Sequence, residues 1–456
     1  MINHRYDPRI LIAPALGIVW LLIGASCAPQ FPLPLPLGAT AVSTPSTSAT
    51  QAASVTPSRP PATAESQPDT ISTPEATGPI RLSVWTVEAV SAQADEEAGE
   101  VFGRGLQAFQ EAYPDIELAV VTKNESGKGS VPDYLRTASQ VAPDILPDVV
   151  VVNTTDLASL ARAGLIVPLD GLISSSLAKD LLPGAERAGR VDGQLVGIPF
   201  EMEVQHLIYN TNKLSSAPLD WSDVISANTT YVFPAKGKNG LVNDAFLIQY
   251  LALEGRLQDD EGRPFLDEQV LQTVLQFYRQ GLDEGVIPED VLAIGDPDDV
   301  WPSYVAAEVG MSHVTSHRFL QDRNLLRTTL FATIPTRDGT PLTIGRGRAL
   351  AIVARDPSRQ VMASRLIEWL MAPENNAAWN QATAQIPTRY AVFELIGEDD
   401  PYWPFLEDQL EVAVGSPAFP EYDQIGRVLQ QAVVEVLSGE STPEEAARAA
   451  VEVVVP

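Results

Sequence analysis

The most informative segment of this chain reads Gly197-Ile198-Pro199-Phe200-Glu201-Met202-Glu203-Val204-Gln205-His206-Leu207-Ile208-Tyr209-Asn210-Thr211-Asn212-Lys213. Its apolar ends predict two short strands, over residues 196–200 and 207–209. Between them Glu201, Glu203 and His206 interrupt the apolar pattern with ionisable groups. Two extended pieces with polar groups at their junction suit a connection that crosses between two lobes and places side chains in a cleft. The residues alone leave an ordinary surface hairpin as the alternative.

The N-terminus has the layout of an export signal. Arg5 and Arg9 provide a positive start, residues 10–23 form an apolar core, and residues 24–26 are small. Cys27 follows directly and is the only cysteine, so the sequence excludes a disulfide framework. The pattern resembles a bacterial lipobox, which implies that Cys27 is lipidated and anchors an extracytoplasmic protein to the cell membrane. The alternative is an uncleaved membrane-spanning helix, because the apolar run is only just short of a spanning length.

The stretch after Cys27 differs in composition from everything that follows it. Residues 28–79 are rich in Pro, Ser, Thr and Ala and carry almost no charge. Such a segment cannot bury enough apolar surface to offset the conformational entropy lost on folding. We therefore predict a disordered, partly extended tether between the lipidation site and the folded body.

The charge of the chain limits its partners. It has 30 basic and 59 acidic residues, a formal net charge of −29. This excess of acid argues against a nucleic-acid surface, which needs clustered Lys and Arg to meet the phosphates. A neutral or cationic small ligand is easier to reconcile with this field. Hydrophobic residues make up 45% of the sequence, so most of it is expected to be globular, with two or more cores.

From residue 80 onward, strand and helix patterns alternate. Strands are predicted at 80–86, 116–121, 148–152, 329–334 and 349–353, and helices at 102–113, 134–141, 157–163, 244–254, 268–284 and 359–371. This alternation indicates an α/β protein with a largely parallel sheet. Ligands bind beyond the carboxyl ends of such strands, which here are residues 85–88 and 153–156. The strand at 329–334 is predicted to be a second crossing between lobes.

Several of these segments resemble the family 1 extracellular solute-binding proteins of ABC importers. Residues 197–213 are similar to the family's G-(I/V)-P-(F/Y)…(L/I)-Y-(Y/N)-N signature, and residues 147–170 to its P-D-V-V…G-x-(L/I)-x-P-L-D passage. Residues 300–311 resemble its F-x-x-G-(K/E)-(A/V)-(A/G)-M segment, and residues 386–389 its (L/I)-P-(V/T)-R turn. The matches occur in the family's order over about residues 80–395.

The resemblance implies a two-lobed periplasmic-binding-protein-like fold of type II, with hinge-connected lobes and a central ligand cleft. The expected divisions are a lipoprotein signal peptide (1–26), a tether (27–79), a first lobe (80–199 plus 337–371), a second lobe (205–330 plus 372–456) and hinge crossings near 200–205 and 328–336.

A neutral sugar is held by flat apolar faces and by hydrogen bonds from carboxylates, amides or Arg. The candidate ligand-binding residues are Trp85, Glu88, Asn153, Asp156, Glu201, Asn243, Trp301 and His317. Trp85 leads the aromatic candidates because it ends a strand. Glu201 leads the polar ones because it matches the family's cleft-facing segment, and in a wet cleft its loss is expected to leave folding nearly unaffected. The alternatives are core packing for the tryptophans and solvated surface roles for the others.

No enzyme is expected, because the sequence has no Gly-x-Ser-x-Gly elbow, no His-Glu-x-x-His motif and no P-loop. The carboxylates of Glu201 and Glu203 leave a secreted glycoside-active enzyme as a minor alternative. His206, His313 and His317 could form a zinc site, form structural hydrogen bonds or line a cleft. We expect neither a metal nor another cofactor.

The sequence and the resemblance together predict a solute-binding lipoprotein for sugar transport. It would capture a small solute, a sugar or oligosaccharide, by lobe closure and deliver it to ABC permease subunits. Its expected partners are that solute, the permease and the membrane through the lipid anchor, with no nucleic acid, and the protein is expected to be a monomer. A ligand-sensing lipoprotein that reports to a membrane receptor is the alternative.

Overall fold

The computed structural model describes residues 79–94, 96–397 and 400–454. The predicted signal peptide, Cys27 and all but the last residue of the predicted tether lie outside these ranges. Within them, no helix combines the length and the apolar character that crossing a bilayer requires.

The described residues form eleven strands and sixteen α-helices. The strands are β1 (Ile80–Val87), β2 (Ile116–Lys123), β3 (Val149–Asn153), β4 (Arg190–Val191), β5 (Gln194–Leu195), β6 (Ile198–Asn210), β7 (Tyr231–Val232), β8 (Met311–Thr315), β9 (Thr329–Ala332), β10 (Thr343–Ile352) and β11 (Ala413–Gly415). The first eight helices are α1 (Glu96–Ala112), α2 (Val131–Val141), α3 (Leu157–Arg162), α4 (Ser175–Lys179), α5 (Pro183–Gly189), α6 (Trp221–Ser226), α7 (Asp244–Ala252) and α8 (Glu268–Asp283). The other eight are α9 (Pro297–Val305), α10 (Ser316–Asp322), α11 (Pro357–Leu370), α12 (Pro373–Thr383), α13 (Tyr390–Ile396), α14 (Tyr402–Val412), α15 (Tyr422–Ser438) and α16 (Pro443–Val454). Short 3₁₀ turns lie at Glu88–Val90, Pro143–Ile145, Thr154–Asp156, Glu289–Ala293 and Arg323–Leu325.

Nine of these strands form one sheet in the order β2-β1-β3-β10-β6-β8-β7, with β11 beside β10 and β9 beside β6. β4 and β5 form a separate pair. β1 is parallel to β2 and β3, but β10 is antiparallel to both β3 and β6, and β6 is antiparallel to β8 and β9. The sheet is therefore mixed, whereas the sequence predicted a largely parallel one.

β6 is a single strand of 13 residues, where the sequence predicted two strands separated by a junction. Met202 and Val204 are buried in the apolar core, whereas Glu201 and Glu203 point to the other face of the sheet. Because side chains alternate between the faces of a strand, ionisable groups at every second position do not interrupt it.

The second strand that runs through the middle of the sheet is β10, not the predicted segment 329–334. β9 pairs only with residues 207–210 at one end of β6. β10 instead pairs with residues 198–204 of β6 and, on its other side, with β3. The pairing of β10 with β6 is irregular between Arg348 and Ala349.

Glycine at positions 345 and 347 lets β10 lie close against β6. A Cβ on Gly347 would overlap the backbone carbonyl oxygen of Glu201, and one on Gly345 would come within 2.7 Å of the Met202 Cε atom. The run Gly345-Arg346-Gly347-Arg348 is thus part of a strand in which small residues alternate with arginines.

The apolar side chains pack into three clusters, and β6 contributes to all of them. Ile198 and Phe200 join the first cluster, with β1, β3, α1, α2 and α11. Leu207 and Tyr209 join the second, with α7, α8, α15 and α16. Met202 joins the third, with α5, α9, α10, α13 and α14. We call the part around the first cluster the first lobe, and the part around the other two the second lobe.

Helix α12 packs with the first lobe, although the sequence assigned everything after residue 372 to the second. The Trp379 ring lies 5.9 Å from that of Phe102 and 6.2 Å from that of Phe200, measured between ring centroids. The Asn376 side-chain amide also donates to the Phe200 carbonyl oxygen at 2.8 Å. These contacts place α12 against α1 and the first half of β6.

Candidate functional site

A cleft of about 670 Å³ opens along β6 and β10, between the two lobes. The first lobe contributes Glu125, Asn153, Thr154 and Thr155 to its lining. The second lobe contributes the segments that begin α7, α9 and α10, with Lys238, Asn243, Asp244, Asp296, Asp298 and His317 among their lining residues. The floor is formed by Glu201, Glu203 and Gln205 of β6 and by Arg346 and Arg348 of β10.

The register of β6 and β10 places carboxylates opposite guanidinium groups on this floor. Arg348 pairs in the sheet with Glu201, and Arg346 with Glu203. The Arg348 guanidinium forms ion pairs with Glu201 and with Glu125 of the first lobe. Burial lowers the pKa of Arg348, but the charges of Glu201 and Glu125 outweigh it, so its pKa lies above the ordinary value.

Glu201 is fully satisfied by the protein itself. Its side chain is 1% exposed, and Trp379 Nε1 donates to its Oε2 atom at 2.7 Å, while Arg348 pairs with Oε1. The sequence placed this carboxylate in a wet cleft, free to accept hydroxyl groups. Because both oxygens already have donors within the protein, we assign Glu201 a structural role in joining β6, β10 and α12.

Arg346 binds the second lobe. It forms an ion pair with Asp244, the first residue of α7, and its Nε atom donates to the Ser416 hydroxyl at 2.8 Å. Burial raises the pKa of Asp244, and the charge of Arg346 opposes that shift. The ion pair between Arg346 and Asp244 thus connects β10 to the first residue of α7.

Glu203 lies between the two arginines, yet its carboxylate forms no hydrogen bond or ion pair with another described residue. Burial raises its pKa, while the charges of His317, Arg346 and Arg348 act in the opposite direction. The carboxylate is therefore available to a ligand.

Two side-chain amides beside Glu203 also have unused atoms. Gln205 Nε2 donates to Asp244 at 3.2 Å, which leaves Gln205 Oε1 buried without a partner. Asn243 Oδ1 caps α7 by accepting from the Phe246 backbone N–H at 3.0 Å, which leaves Asn243 Nδ2 buried without a partner. Both residues line the cleft, and buried polar atoms of this kind normally find a partner.

Four of the eight predicted ligand-binding residues line the cleft, namely Asn153, Glu201, Asn243 and His317. His317 lies in the first turn of α10, and its Nδ1 atom is 3.2 Å from the Ala384 carbonyl oxygen. The predicted segment 153–156 thus does reach the cleft, through its first three residues.

The other four candidates lie elsewhere. Trp85 is 5% exposed in the first cluster, where its ring lies 6.0 Å from that of Tyr134, so it is a core residue rather than a ligand-facing one. Trp301 packs against the Tyr304 ring at 6.2 Å beside the third cluster. Glu88 is exposed in a 3₁₀ turn, and Asp156 is half-buried in another, where burial raises its pKa and Arg136 opposes the shift.

Sequence reasoning missed Gln205, Asp244, Asp296 and Lys238 as lining residues. Part of the signal was present, because Gln205 lies two and four positions beyond Glu203 and Glu201 and so shares their face of the strand. The residues from α7 and α9 carried no such signal, since only tertiary packing brings those helix ends to the cleft.

His206 and His313 are core residues. His206 Nε2 contacts the Tyr402 hydroxyl at 2.7 Å, and His313 Nε2 contacts the Tyr231 hydroxyl at 2.6 Å. Burial lowers the pKa of His206 to about 4 and that of His313 to about 3. Within the described ranges, no group of three or more His, Cys, Asp or Glu side chains is placed to hold a metal ion.

Comparison with known proteins gives a consistent result. Residues 106–403 match a family model described as bacterial extracellular solute-binding protein. The cyclic alpha-maltosyl-1,6-maltose binding protein from Arthrobacter globiformis superposes with a TM-score of 0.68 at 17% identity, over 83% of this chain and 98% of that chain. The sugar-binding protein MalE from the phytopathogen Xanthomonas citri gives a TM-score of 0.68 at 20% identity, over 82% of this chain and 96% of that chain. These superpositions confirm the predicted two-lobed α/β fold.

Sequence similarity to curated proteins is more limited. An uncharacterized lipoprotein encoded in the oleD 5' region of Streptomyces antibioticus is 28% identical over 148 residues, which is 31% of this chain and 29% of that protein. The chain therefore aligns with less than a third of the length of the curated relatives that it matches.

Proposed function

The chain belongs to the bacterial extracellular solute-binding protein family, and from that premise we propose that it captures a small saccharide for an ABC importer. The observation that carries this proposal is the cleft of about 670 Å³, because its lining comes from both lobes and from the two strands that join them. A volume of this order is typical of sites that enclose a small molecule.

The lining favours a hydroxyl-rich ligand over an apolar one. It presents carboxylates, amides, a hydroxyl-bearing threonine pair and cations, which can donate to and accept from the hydroxyls of a sugar. The names of the two similar structures, both saccharide-binding proteins, point the same way. Solute binding requires no covalent chemistry, so the proposal does not call for an enzyme.

We propose that β6 and β10 form the hinge. Both strands contribute side chains to the clusters of both lobes, and the irregular pairing between Arg348 and Ala349 lies where the lobes meet. A ligand that contacts both lobes would stabilise the closed arrangement by its higher affinity for it.

Delivery and anchoring belong to the same proposal. The family resemblance supports transfer of the solute to permease subunits, and one relative is itself named a lipoprotein. Cys27→Ala should then release the protein from membranes without changing its affinity for the solute. Retention of this variant on membranes at the wild-type level would favour an uncleaved helix instead.

Calorimetric titration with a panel of mono-, di- and trisaccharides, polyols and amino acids tests the binding proposal. We expect saturable binding of at least one saccharide with one site per chain, and a higher melting temperature in its presence. Binding of amino acids or polyols with no saccharide in the panel would overturn the assignment to sugars.

A further inference from the structure

The unused polar atoms of the cleft belong to its floor and to the adjoining start of α7. Glu203 and Gln205 share one face of β6, two residues apart, and Gln205 is joined through Asp244 to the start of α7, where Asn243 lies. Gln205 is 9% exposed and Asn243 is 8% exposed, so neither unpartnered atom is freely hydrated. Buried polar atoms without partners are costly, and here they face a cavity that a ligand can enter.

One hydrogen bond fixes the orientation of each side-chain amide, of Gln205 and of Asn243. It therefore also identifies which amide atom has no partner. A carboxylate only accepts, so Asp244 holds the Nε2 side of Gln205 and leaves an acceptor, Oε1. A backbone N–H only donates, so the Phe246 N–H holds the Oδ1 side of Asn243 and leaves a donor, Nδ2. With the carboxylate of Glu203, the cleft thus offers acceptors at two residues and a donor at a third.

We propose that these three residues form a subsite for a protonated amine with an oxygen on the neighbouring carbon, so that the ligand is an amino sugar. The ammonium group donates to Glu203 and to Gln205 Oε1, and the neighbouring oxygen accepts from Asn243 Nδ2. This inference rests on the proposed function, and it narrows the saccharide to a cationic class.

The charges around the subsite favour a cation. The carboxylates that line the cleft are those of Glu125, Glu201, Glu203, Asp244, Asp296 and Asp298, against the cations of Lys238, Arg346 and Arg348. Both arginines are already engaged, Arg348 by two carboxylates and Arg346 by Asp244. Asp298 is likewise paired, with Arg318, whereas Lys238 forms no ion pair among the described residues and its charge acts on Asp244. The lining still carries more carboxylates than cations, so the field there attracts a positive group, and a charge-assisted hydrogen bond is stronger than a neutral one.

The aromatic content of the lining is consistent with such a ligand. Among the described lining residues, Tyr422 provides the only phenol or indole ring. A neutral sugar depends heavily on stacking against rings of this kind. With one ring available, recognition here relies on hydrogen bonds and charge.

Burial raises the pKa of Glu203, because a carboxylate removed from water is costly to ionise without a cation beside it. The charged and titratable groups around it are His317 from α10, Arg346 and Arg348 from β10, and Asp244 from α7. An ammonium ion placed beside it would favour the ionised carboxylate and so strengthen the pair.

The test is calorimetric titration of the purified chain at pH 7 with sugars that differ only in the group carried at C2 of each ring. Glucosamine, glucose and N-acetylglucosamine form one series, and their β-1,4-linked disaccharides form a second. We expect the amine to bind at least about tenfold more tightly than its neutral parent, from one added charge-assisted bond. The N-acetyl compound, which carries no charge, should show no such advantage.

Variants connect this preference to the subsite. Glu203→Gln should bring the affinities for amine and neutral sugar to within about twofold of each other. Asn243→Ser keeps a side-chain cap on α7 and should weaken both ligands by a similar factor. The matched control is Glu117→Gln, which removes one exposed carboxylate on β2, outside the cleft, and should keep the preference.

The outcomes distinguish a failure of the amino-sugar subsite from a failure of saccharide capture itself. If neutral sugars bind and the amines bind no better, the subsite inference is overturned and saccharide capture stands. A preference for amines that persists in Glu203→Gln also overturns the inference, because the charge would then lie elsewhere. If neither series binds and the saccharide panel also fails, both the inference and the proposed function are lost.

Discussion

Glu201 and Glu203 lie two residues apart on the same face of β6, and their surroundings differ completely. Glu201 is 1% exposed and held by Arg348 and Trp379. Glu203 is half-buried and has no hydrogen-bonding partner among the described residues. The same side chain therefore serves two purposes along one strand, stabilising the junction of the lobes at one position and remaining available to a ligand at the next.

The difference shows how to separate structural from functional polar groups in a cleft. A lining residue with all its hydrogen bonds made within the protein contributes to the architecture, because a ligand would have to replace those bonds. A buried lining residue with unused capacity has a desolvation cost that only a ligand or water can offset. By this criterion the cleft lining divides into a structural half around Arg348 and a binding half around Glu203, Gln205 and Asn243.

The largest expected effect concerns the structural half. Glu201→Ala should lower the free energy of unfolding by roughly 3 kcal/mol, because it leaves the partly buried Arg348 and the Trp379 N–H without their acceptor. Glu203→Ala is the matched control and should change it by less than about 1 kcal/mol. Urea unfolding without ligand measures both. Equal losses in the two variants would remove the distinction between the halves.

Acidification should produce the next largest loss in the free energy of unfolding, because it acts on the buried His206 and His313. Burial lowers the pKa of His206 to about 4 and that of His313 to about 3, from an unfolded value of 6.5. The unfolded chain therefore binds protons below pH 6.5 that the folded chain does not, so stability falls as the pH falls. Between pH 7 and pH 5.5 the two residues should together cost about 2–3 kcal/mol.

The cleft carboxylates oppose this trend. Burial raises the pKa of Glu203 and Asp244, so the folded chain binds protons there more readily than the unfolded chain. Glu203→Gln removes one opposing group, and its stability should fall more steeply with acid than that of the wild type. Urea unfolding at several pH values measures both trends. If the unfolding free energy of the wild type stayed level or rose between pH 7 and pH 5.5, the assignment of His206 and His313 would be contradicted.

Gly347→Ala tests the close contact of the two central strands. The added Cβ would overlap the Glu201 carbonyl oxygen and lie 2.8 Å from the Met202 Cα atom, so β10 must move. A loss of about 2 kcal/mol is expected, as for other overpacked sites. Gly415→Ala on β11 is the control, since its Cβ would meet no atom within 4 Å. A melting temperature unchanged in Gly347→Ala would show that the strands can separate at little cost.

A smaller loss in the free energy of unfolding is expected for Glu125, at the exposed edge of the structural half. Glu125 pairs with Arg348 from the first lobe, but its side chain is 43% exposed, so solvent screens the interaction. Glu125→Gln should cost less than about 1 kcal/mol in the absence of ligand. Thermal unfolding that shows a loss comparable to that of Glu201→Ala would mean that Arg348 depends on both carboxylates equally.

The elements of the fold were largely predictable because their signals are local. The helix predicted at 244–254 is Asp244–Ala252, and the one predicted at 268–284 is Glu268–Asp283. Apolar spacing and capping residues determine such elements within a few neighbouring positions. Strand pairing is not local, and this is why the second crossing between the lobes was assigned to 329–334 rather than to β10.

The site was harder to predict for the same reason. Trp85 lies near the end of β1, but its local sequence does not reveal that Tyr134 and the first cluster cover it. Glu201 was expected to be free, since its donors Arg348 and Trp379 lie more than a hundred residues away in sequence. Residue type and strand end identify candidates, but burial and partners decide which of them a ligand can reach.

Small-angle X-ray scattering, with and without a saturating amount of the tightest saccharide, tests the central claim most directly. The claim is that a solute bound on the floor of the cleft draws the two lobes together around β6 and β10. The account predicts a smaller radius of gyration with ligand, and no change when a non-binding sugar is added at the same concentration. An identical scattering profile at proven saturation would contradict capture by lobe closure.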